Sequence, residues 1–257
     1  MDVVGLAANL YRRGTPYIRI PTTLLALVDA SVGVKTGVNF DDHRNRIGTY
    51  YSPMATFLDR TFLKTLSLRH ARNGVAEIIK IAIIKDKKLF ELIEKHGVSL
   101  IRTKFQDKKY APLVIKLAIR DMVEELQPNL KEHKLERLVD FGHSFSAPLE
   151  LHQKNQLLHG EAVNIDMALS SVIATSRNLL SPNDRDRIIN LMKKLKLPIY
   201  HPICTIGLMV KALDDTILHR DGLQRLPLPV AIGSGTFVND IGIDELNSAI
   251  NYLQKIS

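Results

Sequence analysis

Three short tracts hold the residue types able to do chemistry: Gly142-His143-Ser144-Phe145, Leu158-His159-Gly160-Glu161 and Ala76-Glu77-Ile78-Ile79-Lys80. Two neutral imidazoles and one carboxylate, with a coordination position left open, form the ligand set of a catalytic divalent metal, zinc above all. Each histidine abuts a glycine, which supplies the backbone clearance that a ligand sphere needs. The chain has nine histidines, so the competing reading is a set of ordinary helix histidines satisfied by their neighbours. Glu77 and Lys80 are three apart, and on a helix both side chains leave one face. That sets a metal-binding carboxylate beside an ammonium able to hold an oxyanion. The plainer alternative is a surface ion pair.

Asp29 and Lys35 interrupt an otherwise apolar run that contains Gly33 and ends at Gly37. A lysine there must pair or face a ligand, because burying it alone is costly. Arg44-Asn45-Arg46 follows, with donors suited to phosphate and hydroxyl groups; a solvated loop is the alternative. No GxGxxG or Walker motif is present. Arg12-Arg13-Gly14 fits a helix C-terminus, with basic residues answering the dipole and glycine as the cap. His70, His96, His133, His152 and His201 lack a matching context and read as surface or core residues, and Cys204 has no catalytic setting.

The elements that must position these residues fall into two styles. Up to about Asp59 the pattern is mixed: an amphipathic helix over 2–13, a strand over Tyr17–Ile20, and a second strand over Met54–Leu58. Beyond it the apolar spacing is helical over Ala71–Ile84, Lys87–His96, Ala111–Leu126, Arg137–Leu151, Gly160–Arg177, Asn183–Leu195 and Asp244–Ile256. Ser181-Pro182-Asn183-Asp184 is a strong helix start. His219 to Gly233 reads as a loop with a short strand pair. The expected fold class is therefore a partial α/β piece over 1–68 followed by an α-helical domain over 69–257.

At 257 residues the chain can bury a sizeable core, and 45% hydrophobic with 24% charged residues is ordinary for a globular protein. A single cysteine excludes an internal disulfide and suits a reducing compartment, so a cytoplasmic location is expected. No apolar run approaches membrane-spanning length. The net charge of +8 is spread along the chain without a dense basic tail or interleaved aromatics, which argues against nucleic acid. Such a surplus suits a phosphorylated substrate and cofactor.

Taken together, these tracts resemble the sugar phosphate cyclases, the superfamily of 3-dehydroquinate synthase. The resemblance rests on Tyr11-Arg12-Arg13-Gly14, Ile20-Pro21-Thr22-Thr23-Leu24-Leu25-Ala26, Val28-Asp29-Ala30-Ser31-Val32-Gly33-Val34-Lys35-Thr36, Asn45-Arg46-Ile47-Gly48, Phe62-Leu63-Lys64-Thr65-Leu66, Gly74-Val75-Ala76-Glu77-Ile78-Ile79-Lys80, and the two histidine tracts. It implies Glu77, His143 and His159 as ligands of a divalent metal, zinc or cobalt. Asp29, Lys35, Asn45 and Lys80 would contact the substrate ring, and Arg13 would reach the phosphate pocket of a partner in a homodimer. Asp2, Thr22, Thr23, Asp29, Lys35, Arg44, Thr65 and Leu66 would line an NAD site.

Leu126, Asp140 and His219 depart from dehydroquinate synthases and resemble the branch of 2-epi-5-epi-valiolone synthases, which cyclise sedoheptulose 7-phosphate. Gln127-Pro128-Asn129-Leu130 and Asp166-Met167-Ala168-Leu169-Ser170 point the same way, whereas Ala147 stands where that branch usually has proline. Dehydroquinate synthase activity and an inactive metal-binding remnant remain the alternatives. The family carries a glycine-rich NAD-binding segment before the position of Asp2. The resemblance thus implies an N-terminally truncated chain with an incomplete cofactor site.

Overall fold

The computed structural model describes residues 1–41, 43–151 and 157–257, and of His43 and Arg44 the backbone only. Helix α1 (Asp2–Leu10) ends in a tight turn over Tyr11–Arg13. Arg12 and Arg13 take left-handed backbone angles there, with φ of 51° and 61°, and Gly14 follows at 126°. The basic residues and glycine do mark the helix end, as their order implies. Strand β1 (Ile18–Arg19) follows, then a wide helical turn over Ala26–Ala30 that carries Asp29.

Strands β2 (Lys35–Phe40) and β3 (His43–Tyr50) form an antiparallel hairpin with Lys35 opposite Tyr50 and Gly37 opposite Gly48. A solvated loop is the alternative reading of this polar stretch, and the structure makes it a strand pair instead. The hairpin forms because Thr36, Val38, Ile47 and Thr49 alternate along it, and the Thr36 and Thr49 hydroxyls meet at 2.7 Å. Strand β4 (Ala55–Thr56) pairs in parallel with β1.

The helices begin with α2 (Leu68–Ile84) and α3 (Lys87–Arg102), each capped by a side chain: Ser67 accepts from His70 N and Asp86 from Leu89 N. Next come α4 (Tyr110–Leu126), the short α5 (Ser146–Leu151), α6 (His159–Ser176), α7 (Pro182–Lys194) and α8 (Ile206–His219). A hairpin of β5 (Leu226–Ala231) and β6 (Ser234–Val238) and the last helix, α9 (Ile243–Ile256), complete the chain. No helix among the described residues is long and apolar enough to cross a membrane.

Helix α6 is central: every residue from Ala162 to Ala174 is buried. A helix buried on all sides belongs in the middle of a core, and α2, α5, α7 and α9 pack around it.

One expectation needs correction. The helical spacing over Arg137–Leu151 is broken into one turn at Leu138–Asp140, a loop, and α5. Gly142, at φ 77°, makes the break, and a Cβ on it would lie 2.8 Å from Met167 and Val163 side-chain atoms. The chain must turn there to pass α6. The stretch before His219, which periodicity does not assign, is helix α8, and the Thr205 hydroxyl caps it by accepting from Leu208 N.

Candidate metal centre and the cavity above it

Helix α2 brings Glu77, and the N-terminus of α6 brings His159. The two helices lock where Asn73 Oδ1 accepts the Gly160 N–H at 2.5 Å. The first turn of α6 is held further by Glu161, which accepts from Leu158 N and takes a bidentate pair from Arg69 of α2. His143 arrives on the loop after Gly142. One ligand atom from each of Glu77, His143 and His159 falls within a sphere where all lie within 4.8 Å of one another. His159 Nε2 is 3.0 Å and His143 Nε2 4.0 Å from Glu77 Oε1. Nδ1 of His143 lies 3.2 Å from the Phe141 carbonyl, so that nitrogen carries the proton and Nε2 keeps its lone pair for the centre.

Glu77 tests whether these residues fit a cation. Its carboxylate is buried, and among the described residues neither oxygen accepts an aligned hydrogen bond. A buried anion in that condition is costly unless a cation completes it. Lys80 supplies part of the compensation, with Nζ 2.6 Å from Glu77 Oε2 and 3.8 Å from Asp29 Oδ1, and is itself 2% exposed. The surface ion pair is thereby ruled out. Burial works to raise the Glu77 carboxyl, yet Lys80 and the two histidines hold it well below the usual range. Burial also works against the Lys80 charge, but Glu77 and Asp29 raise it, so the ammonium stays charged. Burial and then the Lys80 charge push the His143 imidazole down. His159 moves oppositely, up to about 9, because Glu150 and Glu77 outweigh its burial. Two imidazoles, an under-satisfied carboxylate and an open side suit a divalent ion.

The open side is a cavity of about 1130 Å3. Asp2, Asp29, Lys35, Asn45, Lys80, Asp140, His143, His159 and His219 all line it. Arg13, Thr22, Thr23, Thr65 and Leu66 are not among its lining residues: Arg13, Thr22 and Thr65 are exposed, and Thr23 caps the next turn through Ala26 N. The Arg44 side chain and all of His152 lie outside the described residues.

Charged residues absent from the expected set also line the cavity. Glu132 pairs with both Lys35 and Arg137. Arg137 Nη2 is 2.7 Å from Asp140 Oδ2, and Arg220 Nη2 is 3.5 Å from the same oxygen. Burial alone would raise the Asp140 carboxyl, but the two guanidiniums hold it below its ordinary value. Asp140 is therefore a fixed anion and a hydrogen-bond acceptor. Single-residue periodicity carries no trace of this chain of alternating charge, because its members come from β2, the 130–140 segment and the end of α8.

Asp166, fully buried on α6, anchors the loop that delivers His143. Its Oδ2 accepts from Phe145 N at 2.5 Å and Ser146 N at 3.1 Å, and Ser170 Oγ donates to Oδ1. Burial lifts this carboxyl from 3.8 to about 6 despite those hydrogen bonds. A carboxyl raised in the folded state costs no stability below the unfolded value. It becomes destabilising as the pH climbs from 3.8 to about 6, by about 3 kcal/mol in all. Relative to wild type, Asp166→Asn should therefore gain up to about 3 kcal/mol between pH 4 and pH 7 in urea unfolding of metal-free protein. A difference that does not change with pH would show that Asp166 ionises as in the unfolded chain.

Comparison with known proteins converges on one family. Residues 1–73 match the family described as 3-dehydroquinate synthase N-terminal, and residues 74–219 match 3-dehydroquinate synthase C-terminal. A 2-epi-5-epi-valiolone synthase of Streptomyces albus is 55% identical over 261 residues; the match covers 100% of this chain and 64% of that protein. A 3-dehydroquinate synthase of Prochlorococcus marinus is 38% identical, over 93% of this chain and 66% of its own length. The solved 2-epi-5-epi-valiolone synthase of Streptomyces hygroscopicus subsp. jinggangensis, with NAD+ and Zn2+ bound, superposes with a TM-score of 0.97. It is 54% identical and is covered over 71% of its chain. The chain thus spans about two thirds of the length of the proteins it matches. On a Glu-His-His cluster with a buried carboxylate, a shared fold and matches over most of its length, the chain belongs to the 3-dehydroquinate synthase family.

Proposed function

We propose that the protein is a sugar phosphate cyclase that converts sedoheptulose 7-phosphate to 2-epi-5-epi-valiolone with loss of phosphate, using NAD and a zinc or cobalt ion. The observation that carries this reading is the Glu77–His143–His159 cluster opening onto a cavity walled by Lys80, Lys35 and the Arg137–Asp140–Arg220 group. The 55% identity to a named 2-epi-5-epi-valiolone synthase supports the choice of branch.

When bound, the metal polarises a ring hydroxyl and NAD takes up and returns a hydride. Glu77, His143 and His159 would hold the metal. Lys80, kept charged between Glu77 and Asp29, orients anionic oxygen and is no base. Asp140, kept ionised by two arginines, accepts hydrogen bonds from substrate hydroxyls. Lys35 and Asn45, on the β2–β3 hairpin, and His219, at the end of α8, line the same cavity and would contact the ring from those elements. Arg13 lies outside its own cavity and enters this reading only through a second copy of the chain. Asp2, Thr22, Thr23, Arg44, Thr65 and Leu66 belong to the NAD side of the proposal.

A second reading, a metal-binding chain without turnover, draws on a specific feature. Large apolar side chains stand exposed across the first 68 residues, among them Val3, Val4, Leu10, Met54 and Phe57 at 59–77%. Incubation with sedoheptulose 7-phosphate, NAD and Zn2+ is the deciding assay, with phosphate release and product mass as readouts. Release of phosphate with a cyclitol product is expected. Turnover of the dehydroquinate synthase substrate alone would move the protein to that branch, and metal binding with neither activity would favour the second reading.

A further inference from the structure

The segment from His143 to Glu150 and the helix α6 hold each other in a reciprocal way. Each carries one imidazole of the cluster and one carboxylate that braces the other element. Asp166 of α6 accepts the Phe145 and Ser146 amides, just after His143. In return, Glu150 near the end of α5 places Oε2 3.0 Å from Nδ1 of His159. The opposite nitrogen, Nε2, is 3.0 Å from Glu77 Oε1. The His159 ring is thus strung between two carboxylates, one at the centre and one behind it.

The geometry points to Glu150 as the positioning residue of this centre: by accepting from Nδ1 it turns Nε2 and its lone pair toward the ion. Without an acceptor behind it the ring is free to rotate about χ2 and present a protonated nitrogen. A carboxylate behind a ligating imidazole fixes the tautomer and raises its donor strength. His143 is served by the Phe141 carbonyl instead, so the two imidazoles are braced by groups of different charge. Glu150 is not itself among the cavity-lining residues; it reaches the centre through His159. The inference rests on the metal reading above and extends it to a residue with no other assigned part.

The test is Zn2+ affinity, measured by competition with a chromophoric chelator, for the full chain and its Glu150→Ala and Glu150→Gln variants. Wild type should bind one equivalent. Glu150→Ala should bind about 10–100-fold more weakly, while Glu150→Gln, whose amide oxygen still accepts from Nδ1, should recover most of the affinity. Co2+ loading adds a readout that packing alone does not move, since the visible absorption of the Co2+ protein should shift in Glu150→Ala. Melting of the metal-free proteins serves as the control, and all three should melt alike within a few degrees. If wild type binds and Glu150→Ala binds equally well with the same Co2+ spectrum, the positioning role is overturned. The same holds if only the metal-free melting changes. If wild type takes up no Zn2+, the metal reading itself fails, and this inference with it.

Discussion

Replacing Glu77 with leucine is expected to cost about 3–5 kcal/mol of stability in the metal-free protein and to abolish Zn2+ binding. The first effect follows from Lys80, which is 2% exposed and keeps Nζ 2.6 Å from the Glu77 carboxylate. Removing one partner of a buried ion pair leaves the other charge uncompensated, and that penalty is typically about 3–5 kcal/mol. Asp29, 3.8 Å from the same ammonium and more exposed, can answer only part of it. The second effect follows because the carboxylate is the only anion in the cluster.

Lys80→Met supplies the contrast. It leaves the buried Glu77 anion with His159 as its remaining close cationic partner in the metal-free state, so that variant should be destabilised without metal and rescued by it. Urea unfolding with and without Zn2+ reads both. A Glu77→Leu protein that loses under about 1 kcal/mol and still binds Zn2+ would contradict the buried pairing and the centre together.

Gly160→Ala should be almost as damaging, for a different reason. A Cβ there would lie 2.1 Å from the Asn73 carbonyl oxygen and 2.8 Å from its Oδ1. Both belong to Asn73 of helix α2; the amide oxygen can swing aside, but the carbonyl is backbone and cannot. The two helices must separate, which breaks the 2.5 Å Asn73–Gly160 hydrogen bond and parts Glu77 from His159. We expect a loss of about 3 kcal/mol, at the upper end of overpacking costs, together with loss of metal binding. Gly207→Ala is the internal control, since nothing lies within 4 Å of its Cβ position on α8. It should gain up to about 1 kcal/mol from helix propensity. Melting temperatures of the pair decide the matter. Equal behaviour at the two glycines would mean that α2 and α6 do not meet as described.

The helical half was largely legible along the chain. Apolar spacing and caps such as Ser181 mark α2, α4, α6, α7 and α9, because burial of one face leaves a period of 3.6 in the residues themselves. The break at Gly142 was not legible. The spacing over Arg137–Leu151 suits a helix, but the chain takes a left-handed turn at Gly142, where a Cβ would lie 2.8 Å from Met167 and Val163. The β2–β3 hairpin hid behind its polarity, since a two-stranded ribbon with one thin covering needs no apolar face.

For the site, residue types offered Glu77, His143 and His159 as one ligand set beside ordinary helix histidines, the family resemblance added Asp140, and the fold gathers the three candidate ligands within 4.8 Å of one another. A ligand set is a matter of chemistry, and chemistry is written in side-chain identity. What only the tertiary structure decided is how those side chains are compensated. Burial turned Glu77 and Lys80 from a surface pair into a coupled interior one. The fold also brought Arg220 to Asp140 across 80 residues and ran Glu132 between Lys35 and Arg137. Charge compensation depends on distance and on exclusion of water, and neither has a period along the chain.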